Sequence, residues 1–239
     1  MELARTLYLS AALSCAALSI FDSAWTESKR AILQSDDILE ISTYSTDQVV
    51  PWVPLLQEWE EREFFHYPYL WVPPKGEISD NNVMLAREKN AQVIIVQHNG
   101  QVIGIAGAIV FDSEEMHSNH RWLLEKTIAH GFDPAHIVYV NYFLTAPQFR
   151  NDARLVSLMY NKLVDFTHCI GRTQICYLED LGNLDSPLKP EHPVAIEPWG
   201  HVIKGFRSMM YADLTWPTLQ PNGSVADQVH VSEFFIQDL

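Results

Sequence analysis

The sequence predicts an α/β (α+β) protein in which helices pack on a mixed, mostly antiparallel central sheet. The predicted elements occur in the order strand, two helices, hairpin, strand, helix, strand, short helix, strand, and such an order packs as a sheet covered by helices. Hydrophobic residues make up 47% of the 239 residues, a share typical of a protein with a substantial core. No internal repeat or low-complexity linker divides residues 38–239, so we predict a single domain there.

The first predicted elements are a strand and two helices. Alternating and β-branched residues predict a short strand over residues 38–45. Thr46 and Asp47 are suitable N-caps for a helix over about residues 50–65. The apolar residues of that helix recur at helical spacing: Trp52, Leu55, Leu56, Trp59 and Phe64. A loop marked by prolines follows, and we expect a second helix over about residues 79–89.

The clearest local signal in the chain is a β-hairpin. Two apolar runs, residues 91–98 and 101–110, are separated only by Asn99 and Gly100. A type I′ turn needs a positive φ at both of its central residues, and Asn-Gly tolerates that conformation. The two runs are therefore predicted to form adjacent antiparallel strands.

The second half of the chain continues the alternation of helices and strands. Prolines between residues 187 and 198 predict an extended loop. The predicted elements, in chain order, are a helix near 119–130, a strand at 136–145, an amphipathic helix at 153–167, a strand at 174–178, a short helix before Gly205 and a strand at 208–215.

Charge and composition exclude several kinds of partner. The chain has 16 Lys and Arg against 30 Asp and Glu, a formal net charge of -14, which repels nucleic-acid phosphates and anionic lipids. Its three cysteines have neither the number of a disulfide framework nor the spacing of a zinc site. Close histidine pairs such as His117 and His120 lack a carboxylate at motif spacing. We therefore predict no nucleic-acid partner and no metal.

Residues 1–34 are expected to form an extension of the domain. Residues 7–21 are almost uncharged and follow Arg5, as in a weak signal peptide. Serines interrupt this apolar run, which is also too short and too polar to span a bilayer. An added amphipathic helix and a misplaced start codon are the alternatives. We expect a cytoplasmic protein, or an exported one if residues 1–19 act as a signal peptide.

Two segments resemble a known family. Residues 143–155 read Phe-Leu-Thr-Ala-Pro-Gln-Phe-Arg-Asn-Asp-Ala-Arg-Leu, and residues 201–206 read His-Val-Ile-Lys-Gly-Phe. The first is similar to the strand, Pro, aromatic, Arg, loop and helix of the GNAT N-acetyltransferase superfamily. The second is similar to the short helix and Gly-Phe that precede its last strands. With the element order, this resemblance extends over most of residues 38–239 and implies the GNAT fold.

A narrower likeness is to a bacterial GNAT subgroup. Residues 67–70 read Tyr-Pro-Tyr-Leu, like the motif that follows the first helix in that subgroup. Residues 187–190 read Pro-Leu-Lys-Pro and resemble its Pro-Leu-Arg-Pro-like loop. Phe234 and Phe235 are similar to the Phe-Trp pair of its C-terminal tail.

The resemblance implies acetyl-CoA as cosubstrate, bound between the fourth strand and the following helix, whose N-terminal amides hold the pyrophosphate. Where the family has loop glycines, this chain has Asn151, Ala153 and Leu155, so close approach of the pyrophosphate is sterically harder. Two arginines of the segment add positive charge. The residues that match the family's cofactor site are Phe143, Leu144, Thr145, Arg150, Asn151, Asp152, Ala153, Arg154 and Leu155.

Acylation of an amine requires a base that deprotonates the nucleophile and an acid that protonates the departing thiolate. Many GNAT enzymes carry a carboxylate on the fourth strand, where this chain has Asn141 and Tyr142. Glu179 and Asp180, at the end of the next strand, are the candidate bases, acting directly or through water. The family's acid, a Tyr four residues before the Gly, corresponds to His201, and Tyr142 or Tyr177 is an alternative acid. Glu179 and His201 are equally compatible with ordinary surface positions.

The implied fold places the acceptor beneath the first two helices and the hairpin. Aromatic side chains with polar tips suit an amine or a flat substrate, although the edge of a core has the same composition. The candidate acceptor-binding residues are His66, Tyr67, Tyr69, Trp71 and Asn141. The expected partner is a small-molecule or peptidyl amine, and a homodimer is an open alternative to a monomer.

The resemblance therefore implies an N-acyltransferase that moves an acetyl group from acetyl-CoA to a primary amine by direct attack. The alternative is a GNAT-fold protein without turnover, which senses CoA or binds another protein. The replaced loop glycines and the missing strand carboxylate favour this alternative.

Overall fold

The structure, a computed structural model, describes residues 33–34, 37–65, 69–73, 82–83, 85–150, 152–180 and 203–239. Several predictions lie outside the described residues. They concern the extension over residues 1–32, the acceptor residues His66 and Tyr67, the loop residue Asn151, the proline-rich loop and the candidate acid His201.

The described part of the chain is built around one seven-stranded sheet, in the order β1-β2-β3-β4-β5-β7-β6. The β4–β5 pair is parallel and all other neighbouring pairs are antiparallel. The predicted fold class is therefore confirmed. The strands are β1 (Leu39–Tyr44), β2 (Ala91–His98), β3 (Gln101–Val110), β4 (Ile137–Thr145), β5 (Gln174–Asp180), β6 (Arg207–Leu219) and β7 (Val225–Asp238).

The helices lie between the strands much as the sequence predicted. Residues 82–83 and 85–87 are also helical, within the predicted second helix. The predicted helix near 119–130 is present at Arg121–Ala129. A further helix, Glu114–Asn119, was not predicted, and His120 separates the two because its backbone is not helical (φ -128°, ψ 29°). The described helices are α1 (Val53–Phe64), α2 (Glu114–Asn119), α3 (Arg121–Ala129) and α4 (Ala153–Cys169), with 3₁₀ turns at Thr46–Gln48, Val50–Trp52, Pro134–His136 and Pro147–Phe149.

The hairpin of β2 and β3 is confirmed, including its turn. Asn99 and Gly100 have φ values of 52° and 75°, as a type I′ turn requires. Strand β7 was not predicted as a strand. In β7 the polar residues His230 and Ser232 take buried positions, while Val229 and Val231 are exposed. Over residues 229–232 the hydrophobic pattern is therefore inverted relative to the core, whereas Phe234 and Ile236 further along β7 are buried.

Two hydrophobic clusters pack against the sheet, and the larger contains consecutive residues of β2 such as Ile94 and Ile95, so it extends over both faces. The larger cluster packs α4 on one face through residues such as Leu155, Met159 and Leu163. The smaller cluster packs α2 and α3 on the other face, against residues such as Ile137 and Phe234. A Cβ atom added at Gly104 would lie 2.7 Å from Met159 Sδ, so this glycine lets α4 lie close to β3.

Strand β4 contains a bulge at Asn141. Gly107 of β3 pairs with Tyr142, whereas the next residue, Ala108, pairs with Val140, so Asn141 is one residue extra on β4. In an unbroken strand Val140 and Tyr142 would share a face. The bulge places Tyr142 on the same face as Tyr139 instead.

The two halves of the sheet separate beyond the bulge. Strands β4 and β5 pair only from Ile137–Gln174 to Val140–Tyr177. From Asn141 onward β4 continues to Thr145 alongside β3, while β5 continues to Asp180 alongside β7. A gap therefore opens between these two strand ends, which no other described strand fills.

Candidate functional site

A cavity of about 660 Å³ lies on the α2–α3 face of the sheet. It borders the gap, since Asn141, Tyr142 and Leu178 line it and all three lie beyond the last β4–β5 pair. The lining residues, in chain order, are Glu60, Phe64, Tyr69, Trp71, Asn82, Leu85, Ile109, Met116, His120, Trp122, Leu123, Tyr139, Asn141, Tyr142, Leu178, Asp213, Leu214, Thr215, Trp216, Pro217 and Phe234.

Three hydrogen-bonded side chains form the polar floor of this cavity: Glu60, Asn82 and Tyr142. Asn82 Nδ2 donates to Glu60 Oε1 at 2.5 Å. The Tyr142 hydroxyl donates to Asn82 Oδ1 at 3.3 Å. Asn82 and Tyr142 are buried, whereas Glu60 is only partly buried because it faces the cavity. The amide of Asn82 therefore links a carboxyl to a phenol.

Burial determines the protonation states of Glu60 and Tyr142, the two ends of this hydrogen-bonded series. It raises the pKa of Glu60 from 4.5 to about 7, against the opposing effect of the hydrogen bond from Asn82. Burial, with a smaller effect of the Glu60 charge, raises the pKa of Tyr142 well above 10.0. Near neutral pH the carboxyl of Glu60 can gain or lose a proton, whereas Tyr142 remains a hydrogen-bond donor.

Gly107 makes room for the Tyr142 ring. A Cβ atom at this position would lie 2.5 Å from Tyr142 Cζ and 2.8 Å from its hydroxyl oxygen. Such distances are shorter than van der Waals contact, so a larger residue would displace the ring. The bulge at Asn141 and the missing side chain at Gly107 thus act together to place Tyr142 in the cavity.

The end of β6 positions two of the aromatic lining residues, Tyr69 and Trp71. Trp71 forms a β-bridge with Thr218, the amide of Val72 donates to Pro217 O at 2.8 Å, and the amide of Leu219 donates to Leu70 O at 2.9 Å. Residues 70–72 therefore lie along β6 as a short extra strand. This pairing holds Tyr69 and Trp71 against the cavity.

The N-terminus of α4 lies on the opposite face, where its first amides are already hydrogen-bonded. Asp152 is the N-cap, and its Oδ1 accepts hydrogen bonds from the amides of Arg154 and Leu155, both at 3.0 Å. Its Oδ2 accepts a bond from the amide of Leu33 at 3.2 Å. A carboxylate of the chain itself thus occupies the position that attracts anions at a helix N-terminus.

The two arginines near this helix terminus also have partners within the chain. Arg150 Nη2 lies 2.5 Å from Glu63 Oε2 at the end of α1. Arg154 donates to the carbonyl oxygens of Gln34 and, at 2.7 Å, Asp37. The positive charge near the α4 N-terminus is therefore engaged in contacts with α1 and with the residues before β1.

Comparison with solved structures identifies the architecture. The protein yncA from Salmonella typhimurium, solved with its cofactor acetyl-CoA, is similar to this chain with a TM-score of 0.50 and 13% identity, over 83% of this chain and 94% of yncA. A GNAT-family acetyltransferase from Streptococcus pneumoniae has a TM-score of 0.48 and 12% identity, over 84% and 99%. The ribosomal-protein-S18-alanine N-acetyltransferase of Escherichia coli has a TM-score of 0.48 and 10% identity, over 84% and 94%.

The chain has the GNAT fold. No family model matches the sequence, and no curated protein matches it either. The GNAT likeness is therefore one of architecture.

Within the GNAT fold the structure brings part of the predicted acceptor and catalytic set together. Tyr69, Trp71, Asn141 and Tyr142 all line the cavity. Glu179 does not, because its neighbour Leu178 faces the cavity and alternation directs Glu179 to the α4 face. There it pairs across the strands with Glu233 and contributes to raising the pKa of Tyr177.

The predicted cofactor residues lie around the gap and the α4 N-terminus of the GNAT fold. Phe143, Leu144 and Thr145 belong to the part of β4 beyond its pairing with β5. Ala153 begins α4, and the side chain of Leu155 is fully buried, so only its amide could meet a phosphate. That amide is bonded to Asp152, whose carboxylate caps the helix.

Glu60 is the functional candidate that the sequence did not reveal. It belongs to the acidic run over residues 58–63, which is typical of a solvated helix face. Its helical position was nevertheless a signal, because Val53, Leu56 and Glu60 recur at i, i+3 and i+7 and therefore share one face. Val53 and Leu56 are buried, so Glu60 is directed toward the interior.

Two further observations concern the described residues only. None of their helices is both long and apolar enough to cross a membrane. Nor does any cluster of three or more His, Cys, Asp and Glu among them have the arrangement to hold a metal ion.

Proposed function

We propose that this protein transfers an acetyl group from acetyl-CoA to a primary amine. The observation that carries the proposal is the gap between β4 and β5, which opens beside a cavity whose floor holds a carboxyl with a near-neutral pKa. The gap gives the thioester a route to the cavity, and the cavity has room for the acceptor. The fold likeness to yncA, solved with acetyl-CoA, supports the choice of cosubstrate.

Glu60 is the base in this proposal, in place of Glu179, which faces the other side of the sheet. A primary amine is largely an ammonium ion at neutral pH, and a base with a pKa of about 7 accepts its proton efficiently. The hydrogen bond from Asn82 holds the carboxyl and favours its ionised form. Tyr142 positions Asn82 by donating to its oxygen.

The proposed reaction is a direct attack. The ammonium nitrogen gives a proton to Glu60, and the neutral nitrogen forms a bond to the thioester carbonyl carbon. The nitrogen then loses a second proton to solvent as the carbon–sulfur bond breaks, the thiolate of CoA takes a proton from an acid, and Glu60 returns its proton to solvent. His201 stays the predicted acid that protonates the thiolate.

The cosubstrate side would use the predicted residues of β4 and α4. Residues 141–145 present a strand edge toward the gap, which suits the amide-rich arm of CoA. The amides of Arg154 and Leu155 can hold a pyrophosphate only after Asp152 has released them. Binding of acetyl-CoA in the family's manner therefore includes the displacement of one carboxylate.

The proposal is tested by the release of the CoA thiol from acetyl-CoA in the presence of a panel of primary amines. The variant Glu60→Gln should lower kcat by about 10²- to 10⁴-fold. Glu58→Gln, an exposed position on the same helix, is the matched control and should leave kcat unchanged. Wild-type kcat/KM should rise with pH up to about 7 and then level off. If Glu60→Gln turned over at the wild-type rate, Glu60 could not be the base.

A second candidate is a GNAT-fold protein without turnover, which senses CoA or binds another protein. The observation that favours it is the carboxylate of Asp152 on the α4 amides, since a negative group there repels a pyrophosphate. Calorimetric titration with acetyl-CoA and CoA separates the two. Micromolar binding together with release of the CoA thiol in the amine assay supports the acetyltransferase. Micromolar binding without thiol release supports a CoA sensor, and no binding at millimolar ligand supports a protein-binding module.

Other expectations from the sequence stay predictions. These are the bacterial subgroup, the cytoplasmic location, the domain boundary after residue 34 and the homodimer. Of the subgroup's motifs, Tyr67 and Pro68 and residues 187–190 lie outside the described residues.

A further inference from the structure

We propose that the cavity selects a small-molecule amine carried on an aromatic or other flat apolar group, with its ammonium at Glu60. This inference names the acceptor class of the acetyltransferase proposed above and rests on that function for turnover. Binding of the amine, however, depends on the cavity alone and can be measured without acetyl-CoA.

The cavity is polar at its floor and its rim and apolar between them. The floor holds Glu60, Asn82 and Tyr142. Apart from the aromatic residues, the remaining polar residues of the described lining are all exposed and therefore lie at the rim: His120, Asn141, Asp213 and Thr215. A ligand whose ammonium binds at the floor must therefore place an apolar group in the middle of the cavity.

Aromatic side chains supply much of this middle region. They come from separate segments of the chain: Phe64, Tyr69, Trp71, Trp122, Tyr139 and Trp216. Phe64 packs edge to face with Tyr69 at 5.3 Å and with Trp71 at 6.2 Å between ring centroids, so that part of the wall is fixed in position. Aromatic walls favour a flat ring, which they contact over its whole face.

The charges of the cavity favour a cation. Glu60 provides a carboxyl inside, and Asp213 adds a negative charge at the rim. None of the described lining residues is a lysine or an arginine. An ammonium ion gains from both the carboxylate and the aromatic faces, whereas a ligand carboxylate or phosphate would meet only repulsion.

The same arrangement disfavours polyamines and peptide ends. Among the described lining residues the only carboxyls are Glu60 at the floor and Asp213 at the rim, so a second ammonium that lies between them, in the aromatic middle, has no charged partner there. A peptide would place backbone amides in the same region, where they would lose their hydrogen bonds to water. A ring or flat apolar group between the amine and the rim places neither an ammonium nor a backbone amide in the apolar middle.

Calorimetric titration of the full-length protein with four probes tests the selection. The probes are 2-phenylethylamine, its uncharged analogue 2-phenylethanol, the polyamine spermidine and trialanine. We expect 2-phenylethylamine to bind at least about tenfold more tightly than each of the others. Equal or tighter binding of spermidine or trialanine would overturn the proposal, and so would equal binding of 2-phenylethanol.

Two pairs of variants locate the binding. Trp122 lines the cavity and is 43% exposed, so Trp122→Ala should leave the fold intact and weaken binding of 2-phenylethylamine about fivefold. Its control, Ile128→Ala, removes an apolar side chain of the same helix that is 61% exposed and lies outside the cavity lining, and should leave binding unchanged. Glu60→Gln should weaken binding of the amine but not of the alcohol, whereas Glu58→Gln should affect neither.

Turnover assays distinguish a failure of this inference from a failure of the proposed function. If 2-phenylethylamine binds at the cavity but no amine is acetylated, the acceptor class stands and the proposed function fails. If spermidine or trialanine is acetylated and 2-phenylethylamine is not, the function stands and the acceptor class is overturned.

Discussion

The two sides of the gap between β4 and β5 differ in their readiness for a ligand. On the cavity side, Glu60, Asn82 and Tyr142 are bonded to one another and leave a space of about 660 Å³ in front of them. On the α4 side, the amides of Arg154 and Leu155 are bonded to Asp152. The cavity side is therefore preformed, whereas an anion that binds at the α4 N-terminus must first displace a group of the chain itself.

The strongest test of the preformed side is the pH dependence of stability. The pKa of Glu60 is 4.5 when the side chain is free in solution, as in the unfolded chain, and about 7 in the folded protein. Between these values the unfolded chain has lost the proton that the folded chain keeps, so a rise in pH favours unfolding. Glu60→Gln removes this effect. Its free energy of unfolding, relative to wild type, should increase by up to about 3 kcal/mol from pH 4.5 to pH 7 and stay constant above.

Urea unfolding at a series of pH values measures this difference. Glu58→Gln serves as the control, because its carboxylate is exposed and its removal should not change the pH dependence. A difference between Glu60→Gln and wild type that does not vary with pH would contradict the raised pKa of the buried carboxyl.

A second test compares the glycines that face the two sides. Gly107→Ala places a Cβ atom against the Tyr142 ring, 2.5 Å from Cζ, and should lower the free energy of unfolding by about 2 kcal/mol. Gly104→Ala meets Met159 Sδ at 2.7 Å, but this flexible side chain can turn away, so the loss should be about 1 kcal/mol or less. Equal losses in urea unfolding would show that the two faces tolerate crowding alike.

The smallest expected effect concerns Asp152 on the other side of the gap. Asp152→Asn keeps an N-cap side chain without its charge, so stability should change little, while affinity for CoA should rise about tenfold. Asp152→Ala also removes the cap and should cost about 1 kcal/mol of stability. Calorimetry with CoA measures the affinities, and unchanged affinity in both variants would mean that CoA does not use these amides.

Most of the fold could be predicted, because its strongest signals are local. The Asn99-Gly100 turn specified the β2–β3 hairpin, and helical spacing of apolar residues specified α1 and α4. Strand β7 escaped prediction because His230 and Ser232 are buried while Val229 and Val231 are exposed. That inversion depends on which face of the hairpin meets the rest of the protein, which the sequence of β7 alone does not encode.

The candidate site was predicted less well, because its key features depend on contacts between distant segments. Tyr69, Trp71, Asn141 and Tyr142 were expected near an acceptor and do line the cavity. The pKa of Glu60 depends on burial by other elements, and the capping role of Asp152 depends on the start of α4. Neither follows from residue type or spacing.

The bulge at Asn141 has a consequence for how this protein tolerates mutation. The extra residue sets the phase of β4, so that Tyr139 and Tyr142 face the cavity while Val140 faces α4. Substitutions in the cavity wall leave that phase unchanged and can retune specificity one residue at a time. An insertion or deletion of one residue between Ile137 and Asn141 would exchange the two faces and bring core residues into the site. The cavity wall can therefore vary by substitution but not by single-residue changes in the length of β4.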